Sequence, residues 1–355
     1  MTHQEEYTKL GMLVRKVSFG HLLTETEAFD AMSMILNDTS GESDFYWGSL
    51  FSCLQLRTPT LAEISGFLGA IARYDKDVKL CNNDKKKIFN KPVFAVTGSG
   101  KDTWKTFNIS TASAFVAASC GVTVIKPGSN ALTSKSGALQ VLKSLGIKEA
   151  VNDAEVRRYL KETNLAIISF ANCVPRYARR YDGRFYHFHP LSYIMPIVAI
   201  PYKLDGISYG ISDNNIELSL ELIREYGIPN AVVSTSFDRK MGQTDELIPY
   251  GIGKTAILTG WETSYKKLIN KLPGAVANTI CAENSHKKNA DKVLNAISSN
   301  RNNPLARCAA TMAATILVAA DKVTSIESGY DVAMKAIENG DAYQTYLKYK
   351  QVSNS

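Results

Sequence analysis

The chain is poor in the features that mark a specialised class. Its six cysteines, Cys53, Cys81, Cys120, Cys173, Cys281 and Cys308, are scattered with no CxxC spacing. That argues against structural zinc and against a disulfide framework, and fits a reducing compartment. The longest apolar stretch, Ala309 to Ala320, is interrupted by threonines and is too short to span a bilayer. The opening segment MTHQEEYTKLGMLVRK has no apolar core of a secretory leader, so the expected location is cytoplasmic. Charged residues make up 21%, and no repeat, low-complexity tract or long linker is visible, so disorder is not indicated. His187 and His189 are spaced by one residue. On a strand that puts them on opposite sides, a poor start for a metal site.

What is present is enough for a large core. At 355 residues, 45% of them hydrophobic, two domains are expected. The net charge is +7 and the sequence pI about 8.9. A basic surface suits nucleic acid and an anionic small substrate equally.

Residues 1 to about 75 read as helices. Thr24 to Glu27 and Thr60 to Glu63 have capping-box spacing, each followed by apolar residues recurring on one face. Lys76 to Lys87 is polar and basic, and reads as a solvated hinge. From Val93 onward β-like and helical patterns alternate. Apolar runs fall at Val93–Val96, Val122–Ile125, Leu165–Phe170, Ile197–Ile200, Ile207–Ile211, Ala231–Val233 and Ala256–Leu258. Helical patterns lie between several of them, such as Gly137–Leu145 and Ile216–Tyr226. The fold class is therefore α/β: a small helical N-terminal domain over 1–90, and a large α/β domain over 91–355 with a central, largely parallel sheet. The segment near 175–200 is placed to pack back onto the helical domain. Asp291 to Lys350 reads as helices again, with Ala309 to Ala320 buried and a capping box at Thr324 to Glu327.

The stretch Val93 to Gly137 carries the chemistry. An apolar run empties into Gly98-Ser99-Gly100-Lys101-Asp102, then Thr106 to Thr111, then the small residues Ala112 to Cys120. Glycines let the backbone approach an anion closely. A helix starting near Asn108 to Thr111 would aim N–H groups and partial positive charge at it. A second strand opens into Lys126 to Ser136, again crowded with hydroxyls and lysines. Two such units in tandem suit a ligand with two phosphate groups. Near the end of the sheet, Asp245-Glu246 is an adjacent acidic pair. Such pairs are usually solvated surface, but this one follows a strand, at the same sheet end as the phosphate turns. Pro175 to His189 interleaves Arg176, Arg179, Arg180 and Arg184 with Tyr177, Tyr181, Phe185, Tyr186 and Phe188. It reads as an exposed arginine face with a buried aromatic turn, as a pocket for an aromatic anion, or as a stacking surface for nucleic acid.

The run TFNISTASAFVAASCG followed by KxGxxxxxSKSG resembles anthranilate phosphoribosyltransferase, of the class IV phosphoribosyltransferases with their nucleoside-phosphorylase-like fold. The family's first turn, GTGGD, stands here as Gly98 to Asp102, and its NIST run is intact as Asn108-Ile109-Ser110-Thr111. Its Gly-Leu-Asp-Glu motif, whose carboxylates bind magnesium, matches Gly242 to Leu247. The resemblance implies a pentosyltransferase using 5-phosphoribosyl 1-pyrophosphate and Mg²⁺, dimeric through its helical domain. The donor would be held by Gly98, Ser99, Gly100, Lys101, Asp102, Asn108, Ser110, Thr111, Lys126 and Ser134. The metal would lie on Ser110, Asp245 and Glu246. Pro127, Gly128, Ser129, Tyr186, His189 and Tyr193 would form the acceptor pocket. No catalytic acid, base or nucleophile is assigned.

The departures lie mainly on the acceptor side. Where the family has KHGNRS this chain has Lys126-Pro127-Gly128-Ser129-Asn130-Ala131. The family's carboxylate-binding arginine falls near Val198, and its RTxFNxxGP segment is not recognisable. Losing an Arg–carboxylate contact removes on the order of a few kcal/mol, unless Arg179, Arg180 or Arg184 substitutes. The resemblance therefore implies a divergent member with a small, aromatic acceptor in a specialised biosynthetic pathway. Ordinary tryptophan biosynthesis is the alternative, and a non-catalytic nucleic-acid-binding member or a pyrimidine-nucleoside phosphorylase is a further one. On the donor side, Lys101 replaces a family glycine.

Overall fold

The structure, a computed structural model, describes residues 3–76, 78–129, 138–181, 184–260 and 262–355. Among the described residues eight strands form one sheet: β1 (Phe94–Gly98), β2 (Val124–Gly128), β3 (Leu165–Ser169), β4 (Gly206–Gly210), β5 (Asn230–Asp238), β6 (Gly242–Thr244), β7 (Gly251–Thr259) and β8 (Glu262–Asn270). The order is β3-β2-β1-β4-β5-β7-β8, with β6 paired to β5 off this path. The five strands from β3 to β5 are parallel, and β6, β7 and β8 add antiparallel pairings at one side. The chain leaves β1 for β2 and β3 on one side, then crosses back to β4 on the other. The order therefore reverses between β1 and β4, and a crevice opens at the carboxyl ends of those two strands.

The N-terminal helices His3–Ser18, Glu25–Asn37, Ser43–Gln55 and Leu61–Asp75 precede the sheet. Both expected capping boxes form, Thr24 with Glu27 and Thr60 with Glu63. The third is displaced by one residue. Ser325, not Thr324, caps Ile326–Glu338, and its partner is Ser328. The alanine-rich helix Pro304–Ala319 is buried along nearly its whole length. Small side chains let its neighbours approach closely: a Cβ at Gly329 would collide with Ala314. Helix Ile109–Ser119 is likewise almost entirely buried, which its small residues permit. Each large apolar side chain in this core, such as Phe115 or Leu317, contributes roughly 1.5–3 kcal/mol by burial.

Two expectations change. Ile197–Ile200 is not a strand: Pro196 opens the short helix Met195–Val198. Pro201 then bars its continuation by restricting Ile200. Nor is Lys76 to Lys87 simply solvated. Asn82 is buried and bonds Leu204 through both its oxygen and its nitrogen, each at 2.8 Å. The buried Lys85 ammonium donates to the Val198 carbonyl at 3.1 Å. The segment after β3 also meets the N-terminal helices. Asp75 accepts from the Arg176 and Tyr177 backbone N–H groups at 2.8 and 2.7 Å, capping helix Pro175–Tyr181. Among the described residues no helix is long and apolar enough to cross a membrane.

Candidate active site

A cavity of about 470 Å³ opens at the carboxyl ends of β1 and β2, beside the β1/β4 crevice. One end is polar. Gly98 closes β1 and pairs in register with Gly210 of β4. The following turn is left-handed at Gly100 (φ 62°) and Lys101 (φ 69°). Glycine adopts that backbone freely, whereas lysine there costs on the order of 1 kcal/mol. Ser212 locks the turn, donating its N–H to Ser99 Oγ at 3.0 Å and its hydroxyl to the Gly100 carbonyl at 2.9 Å.

Asp245 sits on this turn. Its Oδ2 accepts from the Gly100 N–H at 2.8 Å, and its own N–H donates to Asp102 Oδ1 at 2.7 Å. Asp102 also accepts from the Ser212 hydroxyl. Glu246 binds the start of helix Ile109–Ser119: Oε1 accepts from the Ser110 N–H at 2.9 Å and Oε2 from the Thr106 hydroxyl at 2.6 Å. The carboxylate thus takes the favourable end of the helix dipole. The Ile109 and Thr111 N–H groups are bonded to Phe107 and Asn108 carbonyls. The helix N-terminus expected to face an anion is therefore occupied by Glu246.

Burial and like-charge neighbours act together here. Desolvation, then Asp102 and Glu246, push the Asp245 carboxyl well above its ordinary value. Burial and Asp102 push Glu246 up to about 7, against the lowering pull of Thr106, Ser110 and Lys126. Burial also raises Asp102. Lys126 in the middle of β2 is buried and donates to Ser110 Oγ at 3.1 Å. Desolvation brings its ammonium down to about 8, although Glu246 and Asp245 oppose it.

The other end of the cavity is aromatic and apolar, lined by Phe170, Tyr177, Tyr181, Leu191, Met195 and Pro196. Tyr177 and Tyr181 stack at 5.1 Å between ring centroids. The Tyr181 hydroxyl and His189 Nε2 are 2.7 Å apart. Burial, then Lys101 and His187, hold His189 well below its ordinary value, so it is neutral. The Lys101 side chain reaches into this end: its ammonium donates to the Phe185 carbonyl and lies 5.2 Å from the Tyr181 ring centroid.

Of the residues expected at the donor site, Gly98, Ser99, Gly100, Lys101, Asp102, Asn108, Ser110 and Lys126 line the cavity, as do Asp245 and Glu246. Thr111 is fully buried behind it, its hydroxyl without a partner. Ser134 lies outside the described residues. On the acceptor side Pro127, Gly128, Ser129 and His189 reach the wall. Tyr186 does not: it is 65% exposed. Tyr193 is buried away from the cavity, its hydroxyl on Asp213 at 3.1 Å. The arginines that could have replaced the missing carboxylate partner also turn away. Arg180 and Arg184 both pair with Asp44, at 2.5 and 3.0 Å, Arg176 lies over the Tyr74 ring, and Arg179 is exposed. The Arg–aromatic segment thus splits, with two tyrosines in the cavity and the arginines directed to the helical region or to solvent. Sequence reasoning missed Lys105, Thr106, Phe170, Met195 and Ser212. Only Thr106, inside the polar cluster, carried a local signal.

The family model for the glycosyl transferase family α/β domain matches residues 90–182. The chain is similar to anthranilate phosphoribosyltransferase of Thermomicrobium roseum, 27% identical over 98% of this chain and 97% of that protein. The enzyme of Caldanaerobacter subterraneus is 30% identical over 63% and 64%. Among solved structures, the anthranilate phosphoribosyltransferase of Thermus thermophilus superposes with a TM-score of 0.76 at 20% identity, covering 97% of this chain and 99% of that one. The Saccharomyces cerevisiae enzyme, in complex with PRPP (5-phosphoribosyl 1-pyrophosphate) and Mg, gives 0.72 at 18%, covering 98% of each. With the glycine turn after β1 and the NIST helix start in agreement, the chain is similar along nearly its whole length to anthranilate phosphoribosyltransferases and is a phosphoribosyltransferase.

Proposed function

We propose that the chain transfers the 5-phosphoribosyl group of 5-phosphoribosyl 1-pyrophosphate, with magnesium, to a small aromatic acceptor. The position of Asp245 and Glu246 carries this reading: two buried carboxylates at the switch point, beside the glycine turn, Ser110 and Lys126. Carboxyl groups forced upward by burial and mutual repulsion create a demand for a cation. Among the described residues no three or more His, Cys, Asp or Glu groups form a closed metal cage. Mg²⁺ fits that pattern, since it takes one or two carboxylates and completes its shell with substrate phosphates and water. Asp245, Glu246 and Ser110 would hold it, and when bound it would supply charge neutralisation for the departing pyrophosphate. The yeast relative's complex with PRPP and Mg supports the same pairing.

The chain's own residues do the positioning. The Lys126 ammonium would hold the phosphates, with the turn Gly98 to Gly100, Asn108 and Asp102 beside them. Tyr177, Tyr181 and Phe170 offer flat walls for an aromatic acceptor. The apolar wall excludes water from the carbon that develops charge. Such a transfer depends on alignment and charge stabilisation more than on a strong base.

No arginine of the segment 175–184 faces the cavity, and Tyr186 and Tyr193 stand outside it. That supports an acceptor other than anthranilate, used in a specialised pathway. Similarity to anthranilate enzymes along the whole chain favours anthranilate itself as the second reading. A nucleic-acid role is disfavoured by the engagement of Arg180 and Arg184 with Asp44. We also infer two domains, 1–90 and 91–355, and a homodimer through the first. Met12, Phe19, Leu22, Phe45 and Leu56 leave large apolar side chains exposed there, more than an isolated surface needs.

The test is calorimetric titration with 5-phosphoribosyl 1-pyrophosphate and Mg²⁺ of the wild type and of Asp245→Ala/Glu246→Ala. Magnesium-dependent binding that disappears in a folded double variant is expected. A folded wild type that does not bind the donor overturns the reading.

A further inference from the structure

We propose that Lys105 is a pyrophosphate-binding residue, its ammonium receiving the pyrophosphate group of the donor. The inference rests on the phosphoribosyl-transfer reading and adds to it a residue outside the glycine turn and the acidic pair. Among the described residues three lysines line the cavity, Lys101, Lys105 and Lys126. Lys126 donates to Ser110 Oγ at 3.1 Å, and the Lys101 ammonium is directed to the Phe185 carbonyl at the aromatic end. Among the described residues the Lys105 ammonium has no hydrogen-bond or ion-pair partner. Its place is the polar end. The next residue, Thr106, donates to Glu246 Oε2 at 2.6 Å, and the charge of Lys105 acts on the Asp102 carboxyl.

The backbone around Lys105 is held on both sides. The Thr103 and Trp104 N–H groups donate to the Gln243 carbonyl at 3.1 and 2.9 Å. Ala282 donates its N–H to the Lys105 carbonyl at 2.9 Å, and Phe107 donates its own to the Ile280 carbonyl at 2.9 Å. The side chain thus starts from a fixed point, and its flexible stem lets the ammonium follow a ligand. Charge balance calls for such a group. The polar end carries the carboxyl groups of Asp102, Asp245 and Glu246 against the buried Lys126. A metal on Asp245 and Glu246 offsets part of that charge, but pyrophosphate brings several negative charges of its own. In a half-enclosed cavity screening is reduced. An unpaired ammonium there gains a charge-assisted bond to phosphate without giving up an existing one.

The test is calorimetric titration with inorganic pyrophosphate and Mg²⁺, and separately with 5-phosphoribosyl 1-pyrophosphate and Mg²⁺. Lys105→Met should weaken both ligands tenfold or more while the melting temperature stays that of the wild type. Lys105→Arg, which keeps the charge, should recover most of the lost affinity. Lys322→Met removes the same charge from an exposed position outside the cavity and should leave both affinities unchanged. The proposal falls if Lys105→Met keeps its pyrophosphate affinity within twofold, or if Lys322→Met weakens it equally. It falls also if Lys105→Arg binds no better than the Met variant, or if the wild type binds the donor but not pyrophosphate. A wild type that binds neither ligand is a separate failure, that of the transferase reading.

Discussion

Gly98 and Gly210 face each other in register across β1 and β4, and Asp245 fills the space above both. A Cβ on Gly98 would strike the Asp245 carboxylate, and one on Gly210 would strike its backbone carbonyl. The switch point of the sheet thus carries a carboxylate because two strands end in residues without side chains.

Gly210→Ala should accordingly displace the Asp245 backbone. Overpacking of this kind costs about 1–3 kcal/mol, and the moved carboxylate should weaken magnesium-dependent donor binding at least tenfold. Thermal melts and calorimetry on the same preparation separate the two effects. Unchanged donor affinity in the variant would show that Asp245 is not held in place by this close approach.

Donor binding should be bell-shaped in pH. Glu246 is raised to about 7, so the folded protein keeps its proton where the unfolded chain has lost it. The stability this group contributes is therefore full below the ordinary carboxylate value and is lost as pH rises through about 7. A metal must displace that proton, so affinity should fall as pH drops below about 7. Lys126, lowered to about 8, loses its charge above that value. Affinity for the donor with Mg²⁺ should peak between the two. Lys126→Met should weaken binding and remove the alkaline limb. A flat profile from pH 6 to 9 would count against both assignments.

Arg180 should matter for stability and not for acceptor choice. It is buried, pairs with Asp44, donates to Ser43 Oγ at 3.0 Å and lies 5.4 Å from the Trp47 ring. Arg180→Ala should lower the unfolding free energy by roughly 2–3 kcal/mol, the partial exposure of Asp44 moderating the loss. Arg179→Ala, at an exposed position, should stay within about 0.5 kcal/mol. Denaturant midpoints test this, and equal midpoints for the two variants would refute it.

Phe45→Glu together with Leu56→Glu should convert a dimer to a monomer in sedimentation, without loss of helix content. A wild type that sediments as a monomer at all concentrations removes the proposed interface.

Much of this was legible in the sequence because it rests on local rules. Thr24 and Thr60 announce helix starts through side chains that bond within one turn. The glycine turn announces itself by backbone freedom. What failed locally failed for a reason: Ile197–Ile200 has strand composition, but Pro196 and Pro201 bound it and make it a helix.

The sequence by itself determined the α/β class, the glycine turn after β1 and the acidic pair, since each is written in contiguous residues. Only the tertiary structure decided that Glu246 occupies the helix N-terminus, that Arg180 and Arg184 belong to Asp44, and that Lys101 reaches the aromatic wall. These are contacts over long separations between flexible charged side chains. Their partners are chosen by which buried charge would otherwise go unpaired, and that depends on the packing of the whole chain.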